Sequence, residues 1–181
     1  ARRQQHPWFD YYRLHLTARN LAAAVHALHT HGYIIGDVNT TNTFVGDDAL
    51  VTLVDTDSFQ VRDPQNGFIY RCPVGTSEYT PSEMQGRDFA SGVRAPEHDL
   101  FGLAVLIFQL LMEGTHPFAG TFQGRGEPPP LAERIDVGWF PYGRQATPNT
   151  SKTFRRVLAR WFRYGRQAVP YIPARNAPPF D

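Results

Sequence analysis

At 181 residues, with 41% apolar and 13% aromatic side chains, the chain has the size of one globular domain able to bury its own core. Its single cysteine, Cys72, excludes a disulfide framework and a cysteine-built zinc cluster, and fits a reducing, cytoplasmic setting. The formal charge of +1 conceals a division: residues 1–120 carry 8 basic and 13 acidic side chains, residues 121–181 carry 10 and 4, so an acidic portion suited to cation chemistry precedes a basic one.

The opening ARRQQHPWFDYY lacks the apolar stretch of a secretory signal. From about Asp10 to Thr30, Leu14, Ala18, Leu21, Ala22, Val25 and Leu28 recur at three- and four-residue steps, which predicts an amphipathic helix closed by Gly32. His26, His29 and His31 near its end do not share one face and read as surface or cap residues rather than a metal site. A short extended piece, Tyr33-Ile34-Ile35, leads to Gly36-Asp37. Thr43-Phe44-Val45 and Leu50 to Val54 then flank Gly46-Asp47-Asp48 as a small hairpin.

Residues 55–95 are rich in turn formers, and an irregular stretch of that length in a compact domain points to function. Pro96-Glu97 opens a second helix, with Pro at its first position and Glu97 and Asp99 in its first turn. This helix is apolar almost all round to Met112, which predicts burial on every side, and it ends at Gly114. The apolar run Leu100–Met112 is 13 residues long and contains Gln109, too short for a membrane span, so no membrane partner is expected.

Beyond residue 120 the composition shifts, with 9 of the 15 prolines. Residues 139–148, WFPYGRQATP, return at 161–170 as WFRYGRQAVP, eight of ten identical. Two copies are too few for a solenoid. The duplication reads as two anchors that pack Trp and Phe onto the domain, ahead of a base-stacking motif of aromatics and arginines.

The chemistry concentrates between these elements. Asp37, at the end of a short strand, is followed five residues on by Asn42, and the hairpin then leads to Asp55. Phosphoryl transfer from ATP needs such a set: one carboxylate to take the proton of the attacking hydroxyl, and an Asn oxygen with a second carboxylate to hold metal ions bridging the phosphates. Asp37, Asn42 and Asp55 fill those roles, with hard oxygen ligands suited to magnesium and also to manganese.

Here the sequence resembles the C-terminal lobe of the protein kinase family. Asp37 to Asn42 matches the catalytic-loop D-x-x-x-x-N, Asp55-Thr56-Asp57 stands at the magnesium-binding D-F-G, and Gly75 to Glu83 is similar to the G-T-x-x-Y-x-A-P-E that closes an activation segment. Asp99 and the turn Gly114 to Phe118 match the helix and exit turn that support the catalytic loop. The wording around Ile35 to Asn39, Val54 to Val61 and Tyr70 to Gly75 resembles a bacterial branch in which the kinase is associated with helix–hairpin–helix DNA-binding segments. The resemblance implies a mainly α fold with a small β-hairpin carrying the catalytic and metal-binding loops. It implies a core over residues 1–120 and a continuation of the same lobe, cut short, over 121–181, with the N-terminal ATP-covering lobe not in this chain.

It further implies catalytic roles for Asp37 and Asn39, cofactor and metal binding by Asn42 and Asp55, an activation segment with Thr76 and Glu83, and structural support from Asp99. The implied function is Ser/Thr phosphorylation of a protein substrate with MgATP, and any DNA partner would be reached through segments outside residues 1–181. The sequence also departs from the pattern. Ile35-Gly36 replaces His-Arg, so the usual clamp for a phosphorylated loop is missing. Asn39 replaces a lysine and cannot neutralise a transferring phosphate, and Thr56-Asp57 replaces Phe-Gly, Asp57 reading as a solvated or hydrogen-bonded acid ahead of a further metal ligand. A pseudokinase scaffold and, more distantly, a small-molecule phosphotransferase stay open on these residues.

Overall fold

The computed structural model describes residues 9–122, 127–142 and 169–170. Helix α1 spans Tyr11–Thr30, and Asp10 caps it by accepting the Arg13 backbone N–H at 2.9 Å. Its buried residues, Leu14, Thr17, Ala18, Leu21 and Val25, lie on the stripe that the periodicity predicts. The helix closes as expected: Gly32 adopts φ +80°, and the N–H of Tyr33 returns to the carbonyl of Leu28 at 3.1 Å. Ile34 then pairs in both directions with Gln60, at 3.1 and 2.8 Å.

Strands β1 (Thr43–Val45) and β2 (Val51–Leu53) form an antiparallel hairpin, with Thr43 opposite Leu53 and Val45 opposite Val51. Asn20 on α1 donates to the Ala49 carbonyl at 2.9 Å and ties the hairpin turn down. The segment that follows contains a second short hairpin, β3 (Val61–Arg62) with β4 (Ile69–Tyr70), and otherwise three-residue turns at Thr56–Ser58, Ser77–Tyr79 and Ser82–Met84. Such a segment cannot satisfy its backbone by a ladder, and long-range side-chain bonds take over that task.

Helix α2 spans Pro96–Leu111, and His98 Nδ1 accepts the Ala95 N–H at 3.0 Å at its start. A core of Leu21, Val25, Ile35, Val38, Phe59, Leu103 and Leu106 joins α1, the loop after Ile35 and α2. Full burial of side chains such as Leu21 and Val25 contributes about 1.5–3 kcal/mol each. Gly102 brings α2 against the loop: a Cβ there would lie 2.9 Å from Val38 Cβ and 3.0 Å from the Val38 carbonyl oxygen. Glycine in a helix interior costs about 1 kcal/mol relative to alanine, and close approach is what it provides here.

Burial of α2 on every side is not what forms. Asp99, Gly102, Leu103, Val105 and Leu106 are buried, whereas Leu100 remains 48% exposed. One face of the helix meets α1 and Val38, while Phe108 meets Tyr142 and Phe101 meets Phe118 on others, so that after its first turn only Leu100 and Ala104 within it stay exposed.

Further on lie β5 (Gly120–Thr121), helix α3 (Leu131–Asp136) and β6 (Val169–Pro170), with β5 and β6 antiparallel. The described chain is thus three helices and small two-stranded antiparallel sheets. In the first copy of the duplication, Phe140 and the fully buried Tyr142 stack on one another at 5.7 Å, Tyr142 meets Phe108 of α2 at 4.9 Å, and Phe140 meets Phe118 at 5.8 Å. Burial pushes the Tyr142 phenol up to about 12. Residues 143–148 of this copy and the side chains of the second copy lie outside the described residues.

No described helix is long and apolar enough to cross a membrane.

Candidate active site

The loop after Ile35 is suspended from α2. Asp99, 1% exposed, accepts the backbone N–H groups of Ile35 at 2.7 Å and Gly36 at 2.8 Å, and His29 Nε2 at 2.8 Å. A carboxylate receiving two backbone donors holds them more firmly than a neutral acceptor would. His29 therefore does not read as its neighbours do. His26 is exposed and His31 bonds back to the Ala27 carbonyl, but His29 turns inward to Asp99. Among the described residues no group of three or more His, Cys, Asp and Glu is arranged to hold a metal.

With its two preceding N–H groups fixed, Asp37 projects toward the segment that returns before α2. Its Oδ1 accepts both the backbone N–H and the hydroxyl of Thr76, each at 2.9 Å. The Thr76 hydroxyl in turn accepts from Asn39 Nδ2 at 3.1 Å. An ordered chain Asn39 to Thr76 to Asp37 results, saturating one carboxylate oxygen and leaving Oδ2 without a protein donor among the described residues.

Asn39 is 3% exposed and acts as the brace of the loop. Its Oδ1 accepts from the Thr41 N–H at 2.8 Å, the Thr41 hydroxyl at 2.6 Å and the Asn42 N–H at 3.0 Å. Asn42 is half-buried, and its Nδ2 donates to the Asp37 carbonyl at 3.2 Å, which turns the amide oxygen to the other side. Asp37 and Asn42, five positions apart, are thus tied directly, and Asn39 ties Thr41 and Asn42 into the same turn.

Asp55 stands after β2 in the left-handed conformation, φ +62°, at the start of the Thr56–Ser58 turn, whose Ser58 hydroxyl donates to the Asp55 carbonyl at 2.8 Å. A non-glycine residue in this region of backbone space is uncommon and marks a site where the surroundings dictate the conformation. Its carboxyl is raised above the ordinary carboxylate range by partial desolvation first, then by the charge of Asp57 and a hydrogen bond with it, and by the charge of Asp37. The like charges of Asp57 and Asp37 add to desolvation in disfavouring the ionised form of Asp55.

The donor set fits a magnesium ion only in part from protein: Asn42 and Asp55 present hard oxygens, and phosphate oxygens and water would complete an octahedron. Glu83, in contrast, is not brought to this cluster. It is exposed, and its carboxylate accepts from its neighbour Ser82 at 3.2 Å.

Three residues that sequence reasoning missed complete the surroundings. Arg94 is buried between the Asp37 loop and the Thr76 segment, and Gln60 joins it to Ile34. His116, after α2, is held between the Glu78 carbonyl at 2.9 Å and the Phe118 N–H at 3.2 Å. A buried polar side chain within a turn-rich stretch is the signal, but sequence alone does not report burial.

The similarities of the chain are to protein kinases. Over 120 residues, 66% of the chain, it is 43% identical to Protein kinase YegI of Escherichia coli O157:H7 and equally to Protein kinase YegI of Escherichia coli strain K12. The chain spans 18% of the length of each of these curated relatives. No protein-family model matches it. The similarity is thus to part of proteins named as protein kinases.

Proposed function

We propose that this chain is the catalytic lobe of an ATP-dependent protein serine/threonine kinase, with residues 1–120 as its core and 121–181 continuing the same lobe. The observation that carries this reading is the Asp37–Thr76 pair, in which one carboxylate oxygen is consumed by the activation segment and the other is left for an incoming hydroxyl. Asp37 orients the Ser or Thr hydroxyl of a protein substrate and accepts its proton as the oxygen attacks the γ-phosphorus and the bond to the β-phosphate oxygen breaks, releasing ADP. Asn42 and Asp55 would hold the divalent ion, magnesium or manganese, that neutralises the phosphate oxygens when nucleotide is bound. Asn39 and Thr76 keep the Asp37 carboxylate aimed, and Asp99 fixes the loop from below. The aromatic packing of Phe140 and Tyr142 on Phe108 and Phe118 supports counting the later residues with the same lobe. The lone buried thiol of Cys72 supports a cytoplasmic location.

One observation favours a scaffold instead. Asn39 stands where the kinase pattern has a lysine, carries no charge to set against a transferring phosphate, and is bonded instead to Thr41, Asn42 and Thr76.

The experiment is transfer of labelled γ-phosphate from MgATP by the natural-length protein to a peptide library containing Ser, Thr and Tyr acceptors. Label on Ser and Thr is expected. Label confined to Tyr overturns the acceptor class, and magnesium-dependent nucleotide binding without transfer establishes the scaffold.

A further inference from the structure

Arg94 lies two residues before α2 and is 4% exposed, and no carboxylate pairs with it among the described residues. Its guanidinium forks: Nη1 donates to the Gly36 carbonyl at 2.7 Å and Nη2 to the Val74 carbonyl at 2.5 Å. Gly36 immediately precedes Asp37, and Val74 stands two residues before Thr76. The flat face of the group lies 4.1 Å from the centre of the Phe89 ring. The backbone of Arg94 is itself fixed, since its N–H donates to Gln60 Oε1 at 2.7 Å and its carbonyl accepts from Gln60 Nε2 at 2.9 Å.

Both strands of chain beside the fork run close. A Cβ at Gly75 would lie 2.7 Å from Phe89 Cε2 and 2.8 Å from Arg94 Nη2, and one at Gly36 would lie 2.4 Å from Cys72 Sγ. Burying a cation without a counter-charge is costly, and carbonyl acceptors with a ring face offset that cost only in a fixed geometry.

We propose that Arg94 is a positioning residue that registers Asp37 against Thr76, holding the activation segment in its substrate-receiving place through backbone carbonyls alone, so that activity needs no phosphate on that segment. The proposal rests on the kinase reading above. A planar fork sets the spacing of two carbonyls at once, which the single ammonium of a lysine does not. A shift of about 1 Å between Asp37 and Thr76 costs up to about a hundredfold in rate. Arg94 is bonded to the Gly36 and Val74 carbonyls and is not among the residues assigned to nucleotide above, so nucleotide affinity should be spared.

The test uses the natural-length protein with Arg94→Lys and, in case lysine unfolds the chain, Phe89→Leu, which withdraws the ring face but keeps apolar bulk. Amide hydrogen exchange should quicken at least tenfold across residues 72–80 in Arg94→Lys while that of α1 stays put, with the same pattern at smaller size in Phe89→Leu. The kcat should fall by about tenfold to a hundredfold with KM for ATP within about twofold. Phosphatase treatment of the wild-type protein should leave kcat unchanged. Exchange across 72–80 equal to wild type in the folded variant, or loss of wild-type turnover after phosphatase treatment, overturns the proposal. Absence of any phosphate transfer by the wild type defeats the kinase reading instead, and the exchange comparison then decides the role of Arg94 by itself.

Discussion

Asp37 Oδ1 receives both the amide and the hydroxyl hydrogen of Thr76, each at 2.9 Å, across 39 residues of sequence. The amide bond survives any substitution at Thr76 other than proline, so the hydroxyl can be tested separately. Thr76→Val keeps the shape and loses that hydroxyl, which also strands the Asn39 Nδ2 donor. Loss of one such hydrogen bond is worth about 1–1.5 kcal/mol, or about tenfold in kcat, whereas Thr76→Ser should retain near wild-type turnover. Steady-state kinetics on the three proteins checks the order.

Asp99 collects three donors in the interior, from Ile35, Gly36 and His29. Asp99→Ala leaves all three without their acceptor and should cost about 3 kcal/mol or more of folding stability. Urea unfolding followed by circular dichroism measures it. His29→Ala removes one of the three and should cost less than Asp99→Ala in the same experiment.

Much of this architecture was legible before any coordinates, and the part that was not has a common cause. The helix at Tyr11–Thr30, the hairpin and the start of α2 announce themselves because periodicity and end signals repeat over many residues. Asp37, Asn42, Asp55 and Thr76 were picked out by motif and order. Arg94, Gln60 and His29 act through single long-range bonds to backbone or carboxylate, which leave no period and no spacing in the chain. A lone arginine in a turn-rich stretch reads as solvated, yet Arg94 is 4% exposed. Gly102 likewise carries no signal of its own in the chain, and only its close approach to Val38 explains it. Even apolarity misleads when summed without partners, as the exposed Leu100 shows.

His116 gives the fold a pH dependence of defined sign. Burial lowers its pKa below the ordinary 6.5, Arg134 acts in the same direction, and the Glu78 carbonyl and charge oppose it. The Phe118 N–H donates to Nδ1, so the neutral ring carries its proton on Nε2 and donates to the Glu78 carbonyl. Because the folded value lies below the unfolded one, the unfolded chain binds a proton first as pH falls. The contribution of His116 to stability is complete above about pH 6.5 and is lost as pH drops below it toward the folded value. Urea midpoints between pH 7.5 and 5 should therefore fall more steeply for wild type than for His116→Gln. Parallel curves would remove His116 as the cause.

The central claim is that Asp37 performs the proton acceptance at a phosphotransfer site, and Asp37→Asn in the natural-length protein tests it most directly. The amide keeps an acceptor oxygen for Thr76 but removes the base, so label transfer from MgATP should drop by about a hundredfold or more. The circular dichroism spectrum and the affinity for MgATP should match wild type. Transfer by Asp37→Asn at the wild-type rate would contradict the account.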